Sequence, residues 1–365
     1  MVRIPLTTPS HSYEALIEHG VLSRSGPILK ELLGGLQPLF VITVPPVRRR
    51  WGRILLRSLE SSGFSPKVVE MRDGERFKRL STVEALADGL IRTGADRKAV
   101  ILAFGGGVVG DVAGMLASIY MRGVKLVQIP TTVQAQLDAA IGGKTGVNLG
   151  AGKNLLGTFY QPELVLIDPA TLATLPEREF RAGMYEALKC GVIGKPELFA
   201  RLAQSSIKTL RKDEEMVAWV IAEAVRLKAQ VVSADEKEGD LRRVLNFGHT
   251  LGHAFEAATQ YRKFLHGEAI AWGMIAATNI SAELELCDRT TYDRVREACL
   301  AWGDLPSVTV QTAKAMKLIK SDKKTERGVV HFVLPKEIGK VEVVNNVPEN
   351  VIASALAELR RASRG

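Results

Sequence analysis

Residues 99–111 read AVILAFGGGVVGD, and this stretch decides the fold of the first half of the chain. The apolar run Ala99–Phe104 predicts a buried strand, and three glycines follow it directly before a helical pattern at Val112–Ser118. Strand, glycine turn and helix in this order bring backbone N–H groups and a helix start to one point, which suits a pyrophosphate. The spacing departs from GxGxxG, so the position after a strand carries the prediction more than the motif does. Thr131 and Thr132, which follow a later predicted strand, are expected at the same crevice.

The same alternation continues on both sides of this stretch. Apolar or alternating runs predict further strands at 2–6, 13–17, Leu39–Val44, Lys67–Met71, Lys125–Ile129 and Leu164–Asp168. Helical patterns separate most of them, so residues 1–170 are predicted to form an α/β domain with a parallel, Rossmann-like sheet and right-handed crossovers. After Pro169 long amphipathic patterns dominate, and residues 171–365 are predicted to form a mostly α-helical domain.

The composition is that of a globular protein with two domains. A length of 365 residues exceeds one ordinary core, and 46% apolar with 24% charged residues is usual for globular chains. The net charge of +9 is scattered without an aromatic-interleaved basic motif, which indicates a basic surface and not a nucleic-acid binder. Three cysteines without CxxC spacing predict free thiols. No apolar run has membrane-spanning length and no signal-peptide core is visible, so we expect a cytoplasmic protein without membrane contact.

A second glycine-rich segment, DAAIGGKTGVN at Asp138–Asn148, precedes Gly152-Lys153-Asn154. Its GGKTG resembles part of a P-loop, but Asp138 stands where the first glycine of GxxxxGK[ST] belongs. We interpret the segment as a polar loop in which Lys144 and Lys153 hold phosphate or polarise another oxygen anion.

Three of the six histidines fall within Arg242–Glu268. His249 and His253 are four residues apart and therefore share one face of a helix. His266 follows in a segment broken by Gly267, so it is expected to return from a loop to the same point. Converging imidazoles suit a divalent metal of the zinc type, and the spacing alone favours His249 and His253 as ligands. The alternative is two packed helical histidines and a solvated one, since a metal also needs a carboxylate or thiolate from elsewhere.

A carboxylate and an amine stand three residues apart in RAGMYEALK, residues 181–189. Glu186 and Lys189 share one face of a predicted helix, and by themselves they indicate a surface ion pair. Together with the segments above, and in this order along the chain, they resemble the 3-dehydroquinate synthase family over nearly the whole length. That family of sugar phosphate cyclases shares its two-domain fold with glycerol dehydrogenases and iron-dependent alcohol dehydrogenases. A dehydrogenase of those types and a cyclase acting on sedoheptulose 7-phosphate stay open as alternatives.

The resemblance implies a role for each polar residue. One divalent metal, Zn or Co, would be bound by Glu186, His249 and His266, with His253 beside them as a catalytic group. This ligand set replaces the pair His249 and His253 that the spacing alone favours. NAD would contact Glu75, Lys78, Gly105, Gly106, Gly107, Asp111, Thr131, Thr132, Asp138, Lys144, Lys153 and Thr174. Substrate would meet Lys144, Asn154, Lys189, Lys228, Arg242, Asn246 and one of Lys323 or Lys324. Arg122 would reach the substrate phosphate of a neighbouring subunit, which implies a homodimer.

The reaction implied by the resemblance converts 3-deoxy-D-arabino-heptulosonate 7-phosphate to 3-dehydroquinate and phosphate. NAD transiently oxidises the C5 hydroxyl, phosphate leaves by β-elimination, C5 is reduced again, and an intramolecular aldol step closes the ring. NAD is therefore returned unchanged. A pocket rich in lysine and arginine fits a substrate that carries both a carboxylate and a phosphate.

One position departs from the family pattern and leads to a prediction. Dinucleotide folds hold the adenosine ribose with an acid after an early strand, and here Val44 occupies that place, followed by two prolines. We expect NAD to bind nonetheless, because the glycine turn and the two threonines remain. Losing one hydrogen bond should weaken binding by about 1–2 kcal/mol, roughly tenfold. Calorimetric titration with NAD and NADP measures this, and either no NAD binding or a strong NADP preference would contradict it.

Overall fold

The structure, a computed structural model, describes residues 1–150, 152–322, 330–345 and 347–363. The strands are β1 (Val2–Thr7), β2 (Ser12–Ile17), β3 (Leu39–Thr43), β4 (Lys67–Glu70), β5 (Val100–Gly105), β6 (Lys125–Pro130), β7 (Lys144–Leu149), β8 (Gly152–Phe159), β9 (Leu164–Ile167), β10 (His331–Glu337) and β11 (Lys340–Asn345). The α-helices are α1 (Ser25–Leu32), α2 (Pro45–Val47), α3 (Arg53–Ser61), α4 (Leu80–Arg92), α5 (Gly107–Ile119), α6 (Glu177–Gly194), α7 (Pro196–Ala203), α8 (Ile207–Leu210), α9 (Glu214–Ala234), α10 (His249–Ala258), α11 (His266–Glu283), α12 (Arg289–Leu300), α13 (Thr312–Asp322) and α14 (Glu349–Ala362). Short 3₁₀ helices lie at Val21–Arg24, Glu75–Phe77, Tyr120–Arg122, Pro169–Thr174 and Leu241–Asn246, and π-helical turns at Arg48–Gly52 and Ala135–Ala139.

Seven strands form one sheet in the order β1-β2-β9-β6-β5-β3-β4. β1 pairs antiparallel with β2 at one edge, and the other neighbouring strands pair parallel. β5, the strand of the opening stretch, lies between β3 and β6. The predicted fold class, a parallel, Rossmann-like α/β sheet followed by a mostly helical part, is confirmed.

Both faces of β5 are buried. Val100, Leu102 and Phe104 belong to the core on one face of the sheet, and Ile101 and Ala103 belong to the core on the other. Each of these five side chains is at most 1% exposed. Burial on both faces explains why the strand reads as a continuous apolar run and does not alternate with polar residues.

Helix α5 packs closely on its neighbours because the face that meets them carries glycines. A Cβ at Gly110 would lie 2.9 Å from Oε1 of Gln128, and a Cβ at Gly114 would lie 2.5 Å from Cγ2 of Thr145. Any larger residue at Gly114 would push α5 away from β7. The glycines therefore hold the start of α5 against the carboxyl ends of the strands, where doubly wound folds bind their ligands.

The chain divides into two compact units, one of residues 1–176 and 214–237 and the other of residues 177–213 and 238–365. Helix α9 therefore belongs to the first unit, although it follows three helices of the second. Within the first unit Ser233 Oγ accepts a hydrogen bond from the backbone N–H of Thr7 at 3.3 Å. Periodicity cannot tell which core a helix joins, and the predicted division into residues 1–170 and 171–365 stays a prediction.

The second unit is built around α11, in which every residue from Gly267 to Ser281 is buried. Helices α6, α10, α12 and α14 and the strand β10 pack against it, and β10 pairs antiparallel with β11. A helix that is buried on all sides must be surrounded by other elements, which accounts for the helical character of this unit. Among the described residues, no helix combines the length and the apolarity needed to cross a membrane.

The segment around Lys144 is not the polar loop that the sequence indicates. β7 and β8 form an antiparallel hairpin, so Lys144 and Lys153 both lie on strands. Gly142 and Gly143 have left-handed φ of 91° and 67°, whereas Gly146 serves close strand pairing, because a Cβ there would lie 2.8 Å from the carbonyl oxygen of Leu156. The prediction of a polar loop was wrong, because glycine within a strand also permits close approach of another backbone.

A buried carboxylate at the end of β9 generates a prediction about stability. Asp168 is 2% exposed and accepts backbone hydrogen bonds from Gly20 at 2.8 Å, Leu22 at 2.9 Å and Ala170 at 3.0 Å. Asp168→Ala should lower the free energy of unfolding by about 3 kcal/mol or more, because hydrogen bonds to charged groups contribute roughly 1.5–3 kcal/mol each. Chemical denaturation followed by circular dichroism measures the change. The exposed Asp96→Ala is the control and should change stability by less than about 1 kcal/mol; equal effects of the two substitutions would refute the prediction.

Candidate active site

A buried ion pair on α6 forms the base of a polar cluster in the second unit. The side chains of Glu186 and Lys189 are 1% and 3% exposed, and Lys189 Nζ lies 2.6 Å from Glu186 Oε2. This pair is therefore not the surface ion pair that its spacing alone indicates. Nε2 of His266 lies 3.3 Å from the other carboxylate oxygen, Oε1 of Glu186. A carboxylate is stable at such burial only beside positively charged groups, so this position favours cations.

Helix α10 carries the first two histidines. It begins at His249, directly after Gly248, which adopts a left-handed φ of 78° as the N-cap. A Cβ at Gly248 would lie 2.9 Å from the backbone nitrogen of Met274, so the glycine also lets α10 approach α11. His249 and His253 share one face as predicted, with ring centroids 5.1 Å apart.

His266 does not lie in a loop, contrary to expectation, but is the first residue of α11. Gly267 is not a helix break. A Cβ there would lie 1.7 Å from the carbonyl oxygen of Ala182, so this glycine allows α11 to approach α6. The His266 ring centroid is 5.3 Å from that of His249 and 5.8 Å from that of His253. One ligand nitrogen from each of the three rings lies within 4.8 Å of the others.

The rings of His249 and His266 both turn Nε2 toward Glu186. Their Nε2 atoms lie 3.9 Å and 3.3 Å from Glu186 Oε1. Their Nδ1 atoms lie 3.1 Å from the carbonyl oxygen of Phe247 and 3.2 Å from Oε2 of Glu256. Carbonyl and carboxylate oxygens accept, so Nδ1 donates in each ring and Nε2 is the nitrogen that can offer its lone pair to a metal in place of a proton. One carboxylate and two imidazole nitrogens directed at it fit a divalent ion of the zinc type.

The charged groups of the cluster shift one another's pKa values in different directions. Burial acts to raise the pKa of Glu186, but the Lys189 ammonium and the imidazoles outweigh it and hold this pKa well below its usual value. Burial lowers the pKa of His249 well below its usual value, and the Lys189 ammonium adds to the effect. Burial also lowers the pKa of His266, yet its hydrogen bonds with Glu186 and Glu256 outweigh burial and raise it to about 10. The two carboxylates thus create a negative potential at His266 that attracts positive charge.

The segment before α10 supplies two further predicted residues. Arg242 lies on a 3₁₀ helix and is 1% exposed, which makes it one of the largest fully buried side chains described. Asn246 ends that helix and donates a hydrogen bond from Nδ2 to Oε1 of Glu238 at 3.0 Å. His253, in contrast, is exposed, so its ring can exchange protons with solvent.

The glycine turn of the first unit lies where β5 ends and α5 begins. Gly106 is the N-cap of α5 and Gly107 its first residue. The carbonyl oxygen of Gly105 accepts a hydrogen bond from the backbone N–H of Thr131 at 2.9 Å, which brings the end of β6 beside the turn. A Cβ at Gly106 would lie 3.1 Å from Cγ2 of Thr132, so a larger residue would fill this space. The turn therefore exposes backbone and a helix N-terminus in the manner that suits a pyrophosphate.

Lys78 connects two of the other predicted residues. It is 4% exposed, and Nζ donates to Oδ1 of Asn154 at 2.5 Å and to the carboxylate of Asp111. Burial raises the pKa of Asp111, although the Lys78 ammonium opposes this. Glu75 Oε1 lies 3.8 Å from Nζ of Lys153. The structure thus brings five of the residues predicted to bind NAD or substrate together beside α5, the helix that begins at the glycine turn: Glu75, Lys78, Asp111, Lys153 and Asn154.

Other predicted residues of the first unit have different surroundings. Lys228 on α9 donates from Nζ to both the carbonyl oxygen and Oδ1 of Asp138, each at 2.5 Å. Lys144 is exposed on β7. Thr174 is exposed and accepts a hydrogen bond from Nε1 of Trp51 at 2.9 Å.

Three predicted positions need separate comment. Arg122 is exposed and has a φ of 72° at the end of the 3₁₀ helix after α5. Val44 is 4% exposed and belongs to the same core cluster as Met71. A packed apolar side chain therefore occupies the position at which the family pattern has an acid for the adenosine ribose. Lys323 and Lys324 lie outside the described residues.

Comparison with known proteins assigns the chain to a family. Family models described as 3-dehydroquinate synthase N-terminal and 3-dehydroquinate synthase C-terminal match residues 68–182 and 183–325. The chain is 52% identical over 363 residues to the 3-dehydroquinate synthase of Koribacter versatilis (strain Ellin345), which covers 100% of this chain and 99% of that protein. The chain belongs to the 3-dehydroquinate synthase family. The resemblance inferred from the motifs is confirmed, while the role of each residue stays a prediction.

Solved structures of synthases with other names share the fold. The 2-epi-5-epi-valiolone synthase ValA from Streptomyces hygroscopicus subsp. jinggangensis 5008, with NAD⁺ and Zn²⁺ bound, matches with a TM-score of 0.88 and 30% identity over 98% of this chain and 99% of that chain. A 2-deoxy-scyllo-inosose synthase complexed with carbaglucose-6-phosphate, NAD⁺ and Co²⁺ matches with a TM-score of 0.85 and 25% identity over 98% and 99%. The fold therefore occurs in synthases with different products, and the substrate must be argued from individual side chains.

Sequence reasoning assigns no role to Glu256, which the structure brings into contact with His266. The signal is present in the sequence, because Glu256 follows His253 by three residues and His249 by seven on one helix. Residues with this spacing lie along one face of a helix. A lone glutamate near a helix end nevertheless looks like a solvated residue without knowledge of the neighbouring helix.

The cluster leads to a prediction about metal content. His249→Ala removes one of the two Nε2 donors directed at Glu186, so metal bound per chain should fall from about one equivalent to near zero, and activity should be lost with it. Elemental analysis after gel filtration measures the metal. The control is His19→Ala, which removes an exposed histidine of the first unit. Full metal occupancy in His249→Ala would rule out this ligand assignment.

Proposed function

We propose that this protein is a 3-dehydroquinate synthase, which converts 3-deoxy-D-arabino-heptulosonate 7-phosphate to 3-dehydroquinate and phosphate. The observation that carries the proposal is the buried cluster of Glu186, Lys189, His249 and His266, with His253 at its edge, in a chain that matches a 3-dehydroquinate synthase over its full length. A binding protein has no use for a carboxylate buried against two imidazoles and an amine, since each of these groups loses hydration on burial.

Glu186, His249 and His266 are proposed to hold one zinc or cobalt ion. The two Nε2 atoms directed at the carboxylate support this, as do the Zn²⁺ and Co²⁺ present in the two related synthase structures. A divalent ion in such a donor set supplies Lewis acidity, which makes a neighbouring substrate hydroxyl easier to deprotonate. The contribution of the chain is to fix the two rings and to keep the carboxylate charged.

The first unit is proposed to bind NAD, which supplies a reversible acceptor for two electrons and one proton. Both related cyclase structures contain NAD⁺. The N–H groups of the glycine turn and the start of α5 would face the pyrophosphate. The proposed contacts are Glu75, Lys78, Gly105, Gly106, Gly107, Asp111, Thr131, Thr132, Asp138, Lys144, Lys153 and Thr174. The first unit has no acid at Val44, so the turn and its neighbours must provide most of the affinity.

His253 is proposed to move protons to and from the substrate. Its ring lies 5.1 Å from that of His249 yet is open to solvent, so it can release a proton that it has taken up. An imidazole suits this role because its ordinary pKa lies near neutrality. Lys189, held by Glu186, provides a fixed positive charge for a developing oxygen anion.

The anionic ends of the substrate are proposed to meet cationic and amide side chains. Arg242 and Asn246 are four residues apart on one 3₁₀ segment, and a buried guanidinium suits a carboxylate because it donates two parallel hydrogen bonds. Further contacts proposed from the family pattern are Lys144, Asn154, Lys228 and one of Lys323 or Lys324. A neutral sugar lacks the carboxylate that these groups are proposed to bind, which disfavours sedoheptulose 7-phosphate.

We further propose a homodimer in which Arg122 reaches the substrate phosphate of the partner subunit. An apolar surface beside Arg122 supports this, because four large side chains there are 41–53% exposed: Ile119, Met121, Leu155 and Phe159. The hydrogen bond between Thr158 Oγ1 and Ser118 Oγ, 2.9 Å long, brings β8 beside the end of α5. The substrate and NAD are metabolites of the cytoplasm, which is the proposed location.

A substrate comparison tests the proposed reaction. Purified protein with NAD and a divalent metal, offered each substrate in turn, should release phosphate and form 3-dehydroquinate from the heptulosonate. Turnover of sedoheptulose 7-phosphate should be slower by on the order of a thousandfold or more. Glu186→Gln, purified in the same way, controls for contaminating enzyme and should be inactive. Equal turnover of the neutral sugar would overturn the substrate assignment, and turnover of neither would favour a dehydrogenase.

A further inference from the structure

His266 is held between two carboxylates at opposite edges of its ring. Its Nε2 lies 3.3 Å from Oε1 of Glu186, and its Nδ1 lies 3.2 Å from Oε2 of Glu256. The side chain of Glu256 is 5% exposed, so solvent does not compete strongly for this contact. Glu186 belongs to the proposed metal site, whereas Glu256 has no role in the reaction described above.

The two proposed histidine ligands differ in what holds them. His249 donates from Nδ1 to the backbone carbonyl of Phe247, a neutral acceptor fixed by the chain two residues away. His266 donates instead to a carboxylate from another helix, because Glu256 lies on α10 and His266 begins α11. A negatively charged carboxylate that accepts the Nδ1 hydrogen bond makes the opposite Nε2 a stronger metal ligand than a neutral carbonyl acceptor does. His266 is therefore the proposed ligand whose affinity for a metal depends on a side chain, that of Glu256.

We propose that Glu256 is a positioning residue for the metal site, which orients the His266 ring, keeps its proton on Nδ1 and strengthens Nε2 as a ligand for a divalent cation. This inference rests on the proposed function, because it assumes that His266 binds a metal. Helix α10 then supplies three groups from one face: the ligand His249, the neighbouring His253 and the supporting Glu256.

A purely structural role is the alternative. Near the end of α10 the backbone carbonyl of Glu256 accepts a hydrogen bond from Tyr261 N–H at 2.8 Å, so this residue also shapes the turn that follows. That contact uses the backbone and persists when the side chain changes. A structural side chain at this position would alter stability without the metal, whereas a positioning side chain alters metal affinity.

The test compares wild type with Glu256→Gln and Glu256→Asp, using Co²⁺ as the probe. Glutamine keeps the size and an acceptor oxygen but removes the charge, and aspartate keeps the charge but shortens the reach. Metal is removed with a chelator, and Co²⁺ is returned in competition with a chelating dye. We expect the Kd for Co²⁺ to rise about 10–100-fold in both variants, the usual effect of losing such a partner. The visible spectrum of the Co²⁺ forms should change as well.

The control is Glu197→Gln, which removes a surface glutamate of the same unit that pairs with Arg201. Its Kd for Co²⁺ should equal that of wild type. Thermal unfolding of the metal-free proteins separates the alternatives, since the inference expects little change in Tm without metal. Normal Co²⁺ affinity in the Glu256 variants, with or without a lower Tm, would overturn the inference and leave the proposed function standing. Failure of wild type to bind Co²⁺ would refute the metal site and this inference together.

Discussion

The burial of the Glu186 carboxylate constrains the whole second unit. An ionised carboxylate at 1% exposure is strongly unfavourable unless positive charge and hydrogen-bonding groups surround it. Lys189 supplies one charge from the same helix, and the two histidines must come from α10 and α11. Three helices are therefore fixed around one charged group. A cation bound beside Glu186 would offset the unfavourable free energy of burying its carboxylate.

Close approach of backbones is the second constraint, and glycine meets it in both units. Gly267 and Gly248 let α11 approach α6 and α10, which carry Glu186 and His249. Gly114 does the same for α5, which begins at the glycine turn. In each case the residue without a side chain brings polar groups on two elements within reach of each other. Packing and chemistry are thus determined by the same positions.

The sequence predicted the fold class and the family because both depend on local order along the chain. A buried strand followed by glycines and a helix is visible in residues 99–111 without knowledge of any neighbour. Features that depend on contacts between elements distant in sequence were harder to predict. The segment at His266 was interpreted as broken by Gly267, whereas this glycine makes room for the Ala182 carbonyl on another helix. Glu256 was overlooked for the same reason, since its partner begins the next helix.

The path of the chain has a consequence for how this protein is made. The chain passes from the first unit to the second at residue 177, returns at 214 and leaves again at 238. During synthesis on the ribosome, the first unit is incomplete until α9 has emerged, because Asp138 otherwise lacks the ammonium of Lys228. Residues 177–213 belong to the second unit, so they can complete their packing only after the helices that follow residue 238 have been synthesised. No single cut yields two self-sufficient fragments, so gene fusion and recombination can exchange this enzyme as a whole but not by halves.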